Sequence, residues 1–377
     1  MLETLIPKCE NLAKKRLLSF SQKSISFNYN NPINQMKNLL ENKHTTPVVT
    51  QITPERILDA PNLIDDYYMN LLDWGSTNIL AISLSNSVYL WNGNTYESNS
   101  LMSANDNICS VSWMNSGTCL ALGMTDGSIE LWDTVKHHQI RTMTGHLGRV
   151  CALSWNGYIL SSGSKDSNII NHDVRIRDHN INTMIGHTQE VCNLKWSSDG
   201  VNLASGGNDN LLNIWDINNS SYQKYKFTEH EAAVKAISWS HWQKNILASG
   251  GGSKDKTIKI WNTDTGNLLS SHSVGSQVCA LLWDKHEKGL ISSHGYSKNQ
   301  ICLWKYPNMI KSNELNGHMS RVLYLSSSPD GNYIVSGSGD ETLRFWKIHE
   351  GNRRNDSEYD FNYKSSSSKI LNSFQIR

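Results

Sequence analysis

The chain has 377 residues, and its 35 Lys and Arg balance its 34 Asp and Glu to a formal net charge of +1. Such a chain has no overall field to hold nucleic acid or an anionic membrane, and we expect neither as a partner. Its seven cysteines are odd in number and lie mostly in apolar runs such as "VCNLKW", which indicates reduced, buried thiols rather than a disulfide framework. With no signal peptide and no apolar run of about 18 residues, we expect a soluble protein that stays inside the cell.

The first 52 residues are rich in Asn, Lys, Ser and Gln and show little periodicity, so we predict that they do not pack as a domain. Within them, "LAKKRLLSFSQK" is a short basic and apolar stretch. It fits one turn of helix, a nuclear-import patch or a docking peptide, and all three interpretations stay open on composition alone.

A repeat built around Trp begins near Tyr67 and continues to about Lys347. One class of Trp ends a short alternating run such as "SIELW", and a second class closes an apolar run such as "NLKW". The first class comprises Trp91, Trp132, Trp215, Trp261, Trp304 and Trp346, and the second comprises Trp74, Trp113, Trp155, Trp196, Trp239 and Trp283. The first class has one gap, where "NIINHD" places His172 at the Trp position, so the chain contains seven units of about 42 residues.

Each unit holds period-two apolar runs separated by turn residues, which is typical of short antiparallel strands. A repeat of roughly 40–45 residues with Gly-His early and Trp-Asp late is the WD-repeat pattern, with four strands to a blade. Gly186-His187 and Trp215-Asp216 are examples of the two signatures. We therefore predict an all-β protein, a seven-bladed WD-repeat β-propeller over residues 53–350. It would be flanked by a mostly disordered segment with a docking motif at 1–52 and by a flexible tail at 351–377.

Unit four also contains a Ser, a His and an Asp, the residue types of a hydrolytic triad. The residues are His187, Ser205, Asp209 and Trp215, and a similar set recurs at His318, Ser336, Asp340 and Trp346. Because a catalytic triad would not be repeated around a ring, we interpret these as structural blade residues whose polar groups satisfy one another. The scattered His lack metal-ligand spacing, and there is no phosphate-binding Gly-Lys-Ser/Thr loop. We therefore expect that the protein is not an enzyme and that it binds no metal and no cofactor.

A ring needs its ends joined, and propellers commonly complete the last blade with a strand from before the first. "PERILDAP", from Pro54 to Pro61, is the candidate closing strand. The seam between the first and last blades would then carry Leu58, Asp59, Pro61 and Glu341. An acidic and apolar combination suits a peptide with one basic and one apolar anchor. The alternative is a solvated seam with ordinary turn acids.

The stretch "RILDAPNLIDDYYMNLLDWGSTNILAISLSNSVYLW" resembles the propeller opening of the Fizzy and Fizzy-related proteins. These are co-activators that deliver substrates to the anaphase-promoting complex, a ubiquitin ligase. The resemblance continues through "GHTQEVCNLKWSSDG", "HEAAVKAISWS", "HGYSKNQICLWKYP" and "SPDGNYIVSGSGDETLRFW", and covers about 290 residues, His172 included. "NSVYLW" and "SWNGYILSSGS" are closer to the Fizzy (mitotic) branch. The resemblance implies a substrate-recognition co-activator that binds degrons and activates ubiquitination of cell-cycle regulators such as cyclins and securin.

The resemblance also implies two degron sites on the propeller. The Arg of the destruction box, Arg-x-x-Leu, would pair with Asp59 and Glu341, and its Leu would enter a pocket that includes Leu58 and Pro61. The KEN degron would bind on one face of the ring. The residues implied there are Asp66, Tyr67, Asn208, Ser253, Gln277 and Arg321.

The flanks resemble docking segments of the same family. Ile376 and Arg377 match the family's Ile-Arg tail, which docks on scaffold subunits of the ligase, and the Ser-rich run before them would be a tether. "KRLLSF" resembles the checkpoint-binding peptide, which implies that a spindle-checkpoint protein of the HORMA fold contacts Arg16, Leu17, Leu18 and Phe20. We expect the protein in the nucleus and the cytoplasm.

One departure from the family pattern concerns the C-box, Asp-Arg-Phe/Tyr-Ile-Pro-x-Arg. The segment "ETLIPKC" keeps Ile6-Pro7 but lacks both arginines. A truncated chain, a degenerate box and weakened activation are three explanations that stay open. The departure also motivates an alternative function, a propeller scaffold that keeps degron or checkpoint-protein binding without activating the ligase.

Overall fold

The computed structural model describes residues 52–349, apart from the side chains of residues 219–221. Every regular element in this range is a β-strand, and the strands form seven four-stranded antiparallel sheets. The innermost strands of successive sheets contact one another in a closed ring, so the sheets are the blades of a β-propeller. The predicted fold class is confirmed. Within residues 52–349, no helix has the length and apolar character needed to cross a membrane.

The strands follow a regular order, and only the first belongs to a blade that is distant in sequence. That strand, β1 (Arg56–Asp59), is the outermost strand of blade 7. Blade 1 contains β2 (Leu72–Trp74), β3 (Ile79–Leu84), β4 (Ser87–Asn92) and β5 (Ser98–Ser103), and blade 2 contains β6 (Ile108–Trp113), β7 (Cys119–Met124), β8 (Ile129–Asp133) and β9 (His138–Met143). Blade 3 contains β10 (Val150–Asn156), β11 (Ile159–Ser164), β12 (Asn168–Asp173) and β13 (Asn180–Ile185), and blade 4 contains β14 (Val191–Trp196), β15 (Asn202–Gly207), β16 (Leu212–Asp216) and β17 (Asn219–Phe227). Blade 5 contains β18 (Val234–Trp239), β19 (Ile246–Gly251), β20 (Thr257–Asn262) and β21 (Asn267–Ser273), and blade 6 contains β22 (Val278–Trp283), β23 (Gly289–His294), β24 (Ile301–Lys305) and β25 (Ile310–Leu315). Blade 7 is completed by β26 (Val322–Ser327), β27 (Tyr333–Ser338) and β28 (Thr342–Lys347).

Inner and outer strands differ in pattern because they face different surroundings. The inner strand β10 reads "VCALSWN" and is buried at six consecutive positions, since neighbouring blades cover both of its faces. The outer strand β9 reads "HQIRTM" and has a single buried residue, Met143. The continuous apolar runs of the sequence are therefore the strands nearest the axis, and the polar runs between repeats are the rim.

The ring closes as the sequence predicts. β1 pairs antiparallel with β28, with Arg56 opposite Phe345 and Asp59 opposite Thr342. Two further backbone hydrogen bonds extend the pairing, from Glu55 N to Phe345 O and from Ala60 N to Glu341 O, both 2.8 Å. The first and last strands of the propeller, which are far apart in sequence, thus share one sheet. This pairing joins blade 7 to the segment that precedes blade 1.

The Gly-His signature has a steric reason. Gly145 and Gly317 both have φ near +152°, a conformation that residues with a Cβ rarely adopt. At Gly186 a Cβ would lie 2.7 Å from the Trp215 ring. Glycine is therefore needed where the backbone runs close to the Trp of its own blade, and the next residue, His, then lies inside the blade.

The second class of Trp joins neighbouring blades. The indole Nε1 donates to a backbone carbonyl on the inner strand of the preceding blade at Trp113 (Asp73 O), Trp155 (Ser112 O), Trp239 (Lys195 O) and Trp283 (Ser238 O). Because the ring also fills the space between two inner strands, each of these residues supplies both packing and a hydrogen bond. The cysteines of the described region are free thiols, and all but Cys119 are buried.

Candidate functional site

The Ser, His and Asp of blade 4 lie inside the blade and bond one another. His187 Nδ1 lies 3.0 Å from Asp209 Oδ1, its Nε2 lies 2.8 Å from Ser205 Oγ, and Trp215 Nε1 donates to the same Ser205 Oγ at 2.8 Å. His187 is 4% exposed and Ser205 is fully buried. We call these four residues and their counterparts in other blades the buried polar set. No outside molecule reaches this serine, so the geometry is that of a stabilising network.

The same set recurs in three other blades with small changes. It is formed by His146, Ser162, Asp166 and His172 in blade 3, by His230, Ser249, Asp255 and Trp261 in blade 5, and by His318, Ser336, Asp340 and Trp346 in blade 7. His172 takes the Trp place in blade 3 and still contacts the serine hydroxyl through Nε2, at 2.8 Å. Its pKa falls to about 3, mainly because of burial, so the ring is a neutral hydrogen-bonding group.

Blade 1 lacks this set, and its Trp borders a groove instead. Leu80 pairs with Trp91 as Leu203 pairs with Trp215, which puts Ile82 at the place of Ser205. Trp91 is 6% exposed, and within the described residues its Nε1 has no hydrogen-bond partner. The sequence carries a signal for this difference, because "LAISL" in blade 1 stands at the place of "LASGG" in blade 4.

A groove of about 660 Å³ lies at the seam where β1 of blade 7 meets blade 1. The predicted residues Leu58, Asp59 and Pro61 line it. Sequence reasoning missed the opposite wall and the floor, which are formed by Ile82, Leu84, Tyr89, Trp91, Tyr96 and Leu343. Because one wall is β1, the edge strand of its sheet, the groove combines an apolar floor with an exposed strand edge.

Two acidic side chains lie at one end of this seam. Asp59 is exposed at the end of β1, and Glu341 is exposed in the turn before β28. Glu341 does not line the groove itself, but its carbonyl accepts the Ala60 N–H at 2.8 Å, which places it directly beside Asp59. Among residues 52–349, neither carboxylate has a side-chain hydrogen bond or an ion pair. A basic ligand group could therefore pair with them without displacing an existing partner.

At its other end the seam continues into a smaller cavity of about 290 Å³. Trp91 and Tyr96 line both cavities. Arg56 lines the smaller cavity, and its guanidinium carbon lies 3.8 Å from the centroid of the Tyr96 ring, so one of the chain's own cations occupies a face of this ring. The seam therefore has an acidic end and an aromatic end.

The segment between β1 and β2 crosses the propeller axis on one face, and we call residues 60–70 the crossing loop. Arg321 bonds Asp65 on this loop, with Nη2 2.8 Å from Asp65 Oδ1, and Arg149 Nη1 donates to Asp66 Oδ2 at 2.8 Å. Asn70 bonds blades 3 and 4, because its side-chain amide donates to Cys151 O at 2.6 Å and to Cys192 O at 3.0 Å. Contacts with several blades hold the loop in one place.

Two tyrosines of the crossing loop bond residues of two different blades, blade 6 and blade 4. Tyr67 OH donates to Val278 O at 3.0 Å, and Tyr68 OH donates to Asn208 Oδ1 at 2.8 Å. Burial raises the pKa of Tyr67 well above its usual value, so this hydroxyl remains a donor at neutral pH. Arg149 also forms a two-bond contact with Glu190, and although burial opposes its charge, hydrogen bonds to Glu190 and Asp66 raise the Arg149 pKa.

The six residues implied for the KEN degron all lie on this face. Each stands in the crossing loop, in a loop before an inner strand, or in a loop after the second strand of a blade, and these loops share one face of an antiparallel meander. Ser253 is exposed, whereas Asp66, Tyr67, Asn208, Gln277 and Arg321 are half-buried. The structure thus brings the implied residues to one surface, although Asp66, Asn208 and Arg321 already have internal partners. Arg149, Glu190 and Tyr68 were not foreseen.

Several predicted residues lie outside the described residues. These are Arg16, Leu17, Leu18 and Phe20, the segment around Ile6-Pro7, and Ile376 and Arg377. Their assignments stay predictions. Within residues 52–349, no group of His, Cys, Asp and Glu could hold a metal ion.

The fold and the buried polar sets define a seven-bladed WD-repeat propeller with an open seam and a crossing loop. The family model described as the CDC20/Fizzy WD40 domain matches residues 58–346. The chain belongs to this family.

The chain is 48% identical over 353 residues to a protein named anaphase-promoting complex subunit cdc20 from Dictyostelium discoideum, covering 89% of this chain and 71% of that protein. It is 46% identical to cell division cycle 20.1, cofactor of APC complex, from Arabidopsis thaliana, covering 90% and 76%. Protein FIZZY-RELATED 3 from Arabidopsis thaliana is 51% identical over 298 residues, covering 78% and 62%. The longer matches to the Cdc20 proteins favour the Fizzy branch.

A solved structure supports the same placement. The chain is similar to one chain of the crystal structure of the mitotic checkpoint complex, with a TM-score of 0.78 and 41% identity. The match covers 90% of this chain and all of that one.

Proposed function

We propose that this chain is a substrate-recognition co-activator of the anaphase-promoting complex. It binds degrons of cell-cycle regulators on its propeller and presents them to the ligase. It would accelerate ubiquitination by holding the substrate close to the ligase, so it needs no catalytic residue of its own. The observation that carries the proposal is the seam groove of a Cdc20/Fizzy propeller, which joins an apolar floor to two acidic side chains that have no polar side-chain partner among residues 52–349.

The seam fits a destruction box in both charge and shape. The Arg of Arg-x-x-Leu pairs with Asp59 and Glu341, and its Leu enters the apolar groove beside Leu58 and Pro61. Extended peptide beside β1 can also use the free edge of that strand for backbone hydrogen bonds.

The crossing face is the proposed site of the KEN degron. Asp66, Tyr67, Asn208 and Arg321 are held there by internal hydrogen bonds, and Gln277 and Ser253 border the same surface. A KEN peptide would exchange partners with groups that are already oriented, which favours specificity through preorganisation.

The flanks supply the remaining contacts in this proposal. Ile376 and Arg377 dock on ligase subunits, and Arg16, Leu17, Leu18 and Phe20 bind a spindle-checkpoint protein. The substrates are degron-bearing proteins such as cyclins and securin, and the sites of action are the nucleus and the cytoplasm. A fluorescent fusion restricted to another compartment would contradict that location.

Ubiquitination of a destruction-box substrate by purified anaphase-promoting complex tests the proposal. The full chain should stimulate the reaction, and a chain that lacks Ile376 and Arg377 should stimulate it less. A substrate with Ala in place of the Arg and Leu of its destruction box is the matched control. Failure of the full chain to stimulate the reaction contradicts the co-activator role.

The segment "ETLIPKC", which lacks both arginines of a C-box, favours a second candidate function. In that case the propeller is a scaffold that binds degrons or a checkpoint protein without activating the ligase. Fluorescence anisotropy with an Arg-x-x-Leu peptide separates the two candidates. Peptide binding without stimulated ubiquitination indicates the scaffold, and peptide binding with stimulation indicates the co-activator.

A further inference from the structure

A single lysine crosses the propeller axis beneath the crossing loop. Lys235 lies on β18 of blade 5 and is 1% exposed. Its Nζ donates to Leu323 O of blade 7 at 3.2 Å, so the side chain reaches a blade that is not its neighbour. An ammonium group is costly to remove from water, and one carbonyl satisfies only one of its three N–H donors.

The propeller repeat itself does not require a cation at this position. The corresponding place on the inner strands of the other blades is occupied by Asn70, Cys109, Cys151, Cys192, Cys279 and Leu323. Small or neutral side chains therefore suffice for packing around the axis. Packing between blades therefore does not explain why this position of blade 5 carries a charged side chain.

What the ammonium group contacts is the underside of the crossing loop. Its Nζ lies 5.6 Å from the centroid of the Tyr67 ring and 4.9 Å from that of the Tyr324 ring, both within cation–π range. Tyr324 in turn donates from its hydroxyl to Ile64 O of the loop at 2.8 Å. Lys235 thus holds one loop tyrosine directly and a second tyrosine that supports the loop backbone.

We propose that Lys235 is a positioning residue for KEN recognition, because it fixes Tyr67 and the crossing loop from below. This inference rests on the proposed function, since it takes the crossing face as the KEN site. Lys235 does not touch the degron. It selects the loop conformation in which Tyr67, Asp66 and Asn208 are aligned, whereas the seam, on the outer side of blade 1, does not depend on it.

The loss of the Lys235 proton at alkaline pH provides a second test of the proposal. Burial lowers the pKa of Lys235 to about 8. The groups that face it are Tyr67, Tyr324, Cys192, Cys279, Cys151 and Asp66. Burial raises the pKa of both tyrosines and of Cys192 well above their usual values, and that of Cys279 to about 11. Among Lys235, the two tyrosines, Cys192 and Cys279, the lysine is therefore the group that loses its proton between pH 7 and pH 9.

The test compares Lys235→Met with wild type in the full chain, by anisotropy with an acetylated KEN peptide and an Arg-x-x-Leu peptide. Met has a similar length and no charge, so we expect the KEN peptide to bind about tenfold more weakly and the Arg-x-x-Leu peptide to bind unchanged. Lys259→Met is the matched control, because Lys259 is also buried but bonds Ser271 in blade 5, away from the axis. Equal KEN affinity of Lys235→Met and wild type overturns the inference. Equal loss for both peptides overturns it as well.

Tyr324→Phe provides a second variant that keeps the ring and removes only the hydroxyl, which donates to Ile64 O and, at 3.4 Å, to Asp66 O. We expect it to weaken KEN binding about threefold and to leave the other peptide unchanged. If Lys235→Met fails to fold, the KEN affinity of Tyr324→Phe and the pH profile of wild-type KEN binding test the proposal instead. Wild-type KEN affinity should fall between pH 7 and pH 9, and a flat profile or an unaffected Tyr324→Phe contradicts the proposal. If wild type binds Arg-x-x-Leu but no KEN peptide, the KEN assignment fails and this inference fails with it.

Discussion

Blade 4 and the seam between blades 7 and 1 use similar residue types in opposite ways. In blade 4, His187, Ser205 and Trp215 are buried and bond one another. At the seam, Asp59 is exposed and has no polar side-chain partner among the described residues, and the indole of Trp91 has no acceptor there. A polar group that is satisfied inside a blade contributes to stability, whereas one left open at a groove can contribute to recognition.

The difference shows how one repeat serves two purposes. Blades 3, 4, 5 and 7 keep the buried polar set and hold the ring rigid. Blade 1 replaces the serine by Ile82 and so presents an apolar surface to the groove. Substitutions in blade 4 should therefore change the stability of the protein, and substitutions at the seam should change peptide binding.

The largest effect is expected for Trp215→Ala. Removal of this buried ring leaves a cavity and removes the indole's hydrogen bond to Ser205 Oγ, so the free energy of unfolding should fall by about 3–5 kcal/mol. Trp132→Ala is the matched control, because Trp132 has the same place in blade 2 but is half-buried and bonds only Glu130. Urea unfolding followed by fluorescence measures both. Equal losses at the two sites would contradict the role of the buried polar set.

Asp59→Arg should separate the seam from the crossing face. Charge reversal removes an attraction and adds a repulsion, so an Arg-x-x-Leu peptide should bind about thirtyfold more weakly, which corresponds to about 2 kcal/mol. A KEN peptide should bind as before. The free energy of unfolding should change by less than about 0.5 kcal/mol, because the side chain is exposed. An equal loss of affinity for both peptides would contradict the assignment of two separate sites.

Acid should destabilise the blades that carry the set. Burial lowers the pKa of His230 and His318, and although burial raises the pKa of Asp255 and Asp340, hydrogen bonds from these histidines and from neighbouring groups lower both. Below the usual His pKa of 6.5, the unfolded chain therefore binds more protons than the folded one, so stability decreases as pH falls. We expect a loss on the order of 2 kcal/mol between pH 7 and pH 5, measured by urea unfolding. Constant or greater stability at pH 5 would be the contrary result.

Glu341→Gln should have the smallest effect. The carboxylate is exposed and lies beside the groove rather than in its wall, so its loss should weaken an Arg-x-x-Leu peptide by about threefold. The peptide with Ala in place of Arg should show no difference between this variant and wild type. If that peptide also binds less well to the variant, Glu341 acts on the seam's structure and not on the ligand's charge.

Much of the fold could be predicted because its signals are local. Two classes of Trp at a constant spacing and period-two apolar runs identify the strands, and His172 marks the blade whose Trp is replaced. The closing strand between Pro54 and Pro61 could also be predicted, since a ring of antiparallel blades leaves one outer position open. Leu58, Asp59 and Pro61 followed directly from that closure.

The other groove wall and the support of the crossing loop could not be predicted in this way. Ile82 and Tyr89 belong to another blade, and only the seam's geometry brings them opposite Leu58. Arg149 and Arg321 look like ordinary loop cations, yet each is paired with an acid on the crossing loop. A local pattern carries no information about which distant loop a side chain will meet.

By itself, the sequence determined the architecture of this protein: seven blades, their strands, the buried polar sets and the strand that closes the ring. These follow from hydrophobic periodicity and from the need to satisfy buried polar groups within a unit of about 42 residues. Only the tertiary structure decided that Lys235 crosses the axis to Leu323 and that the crossing loop bonds residues of several blades. Closure of the ring creates these contacts between residues 81 or more positions apart, where no repeat or periodicity links the partners.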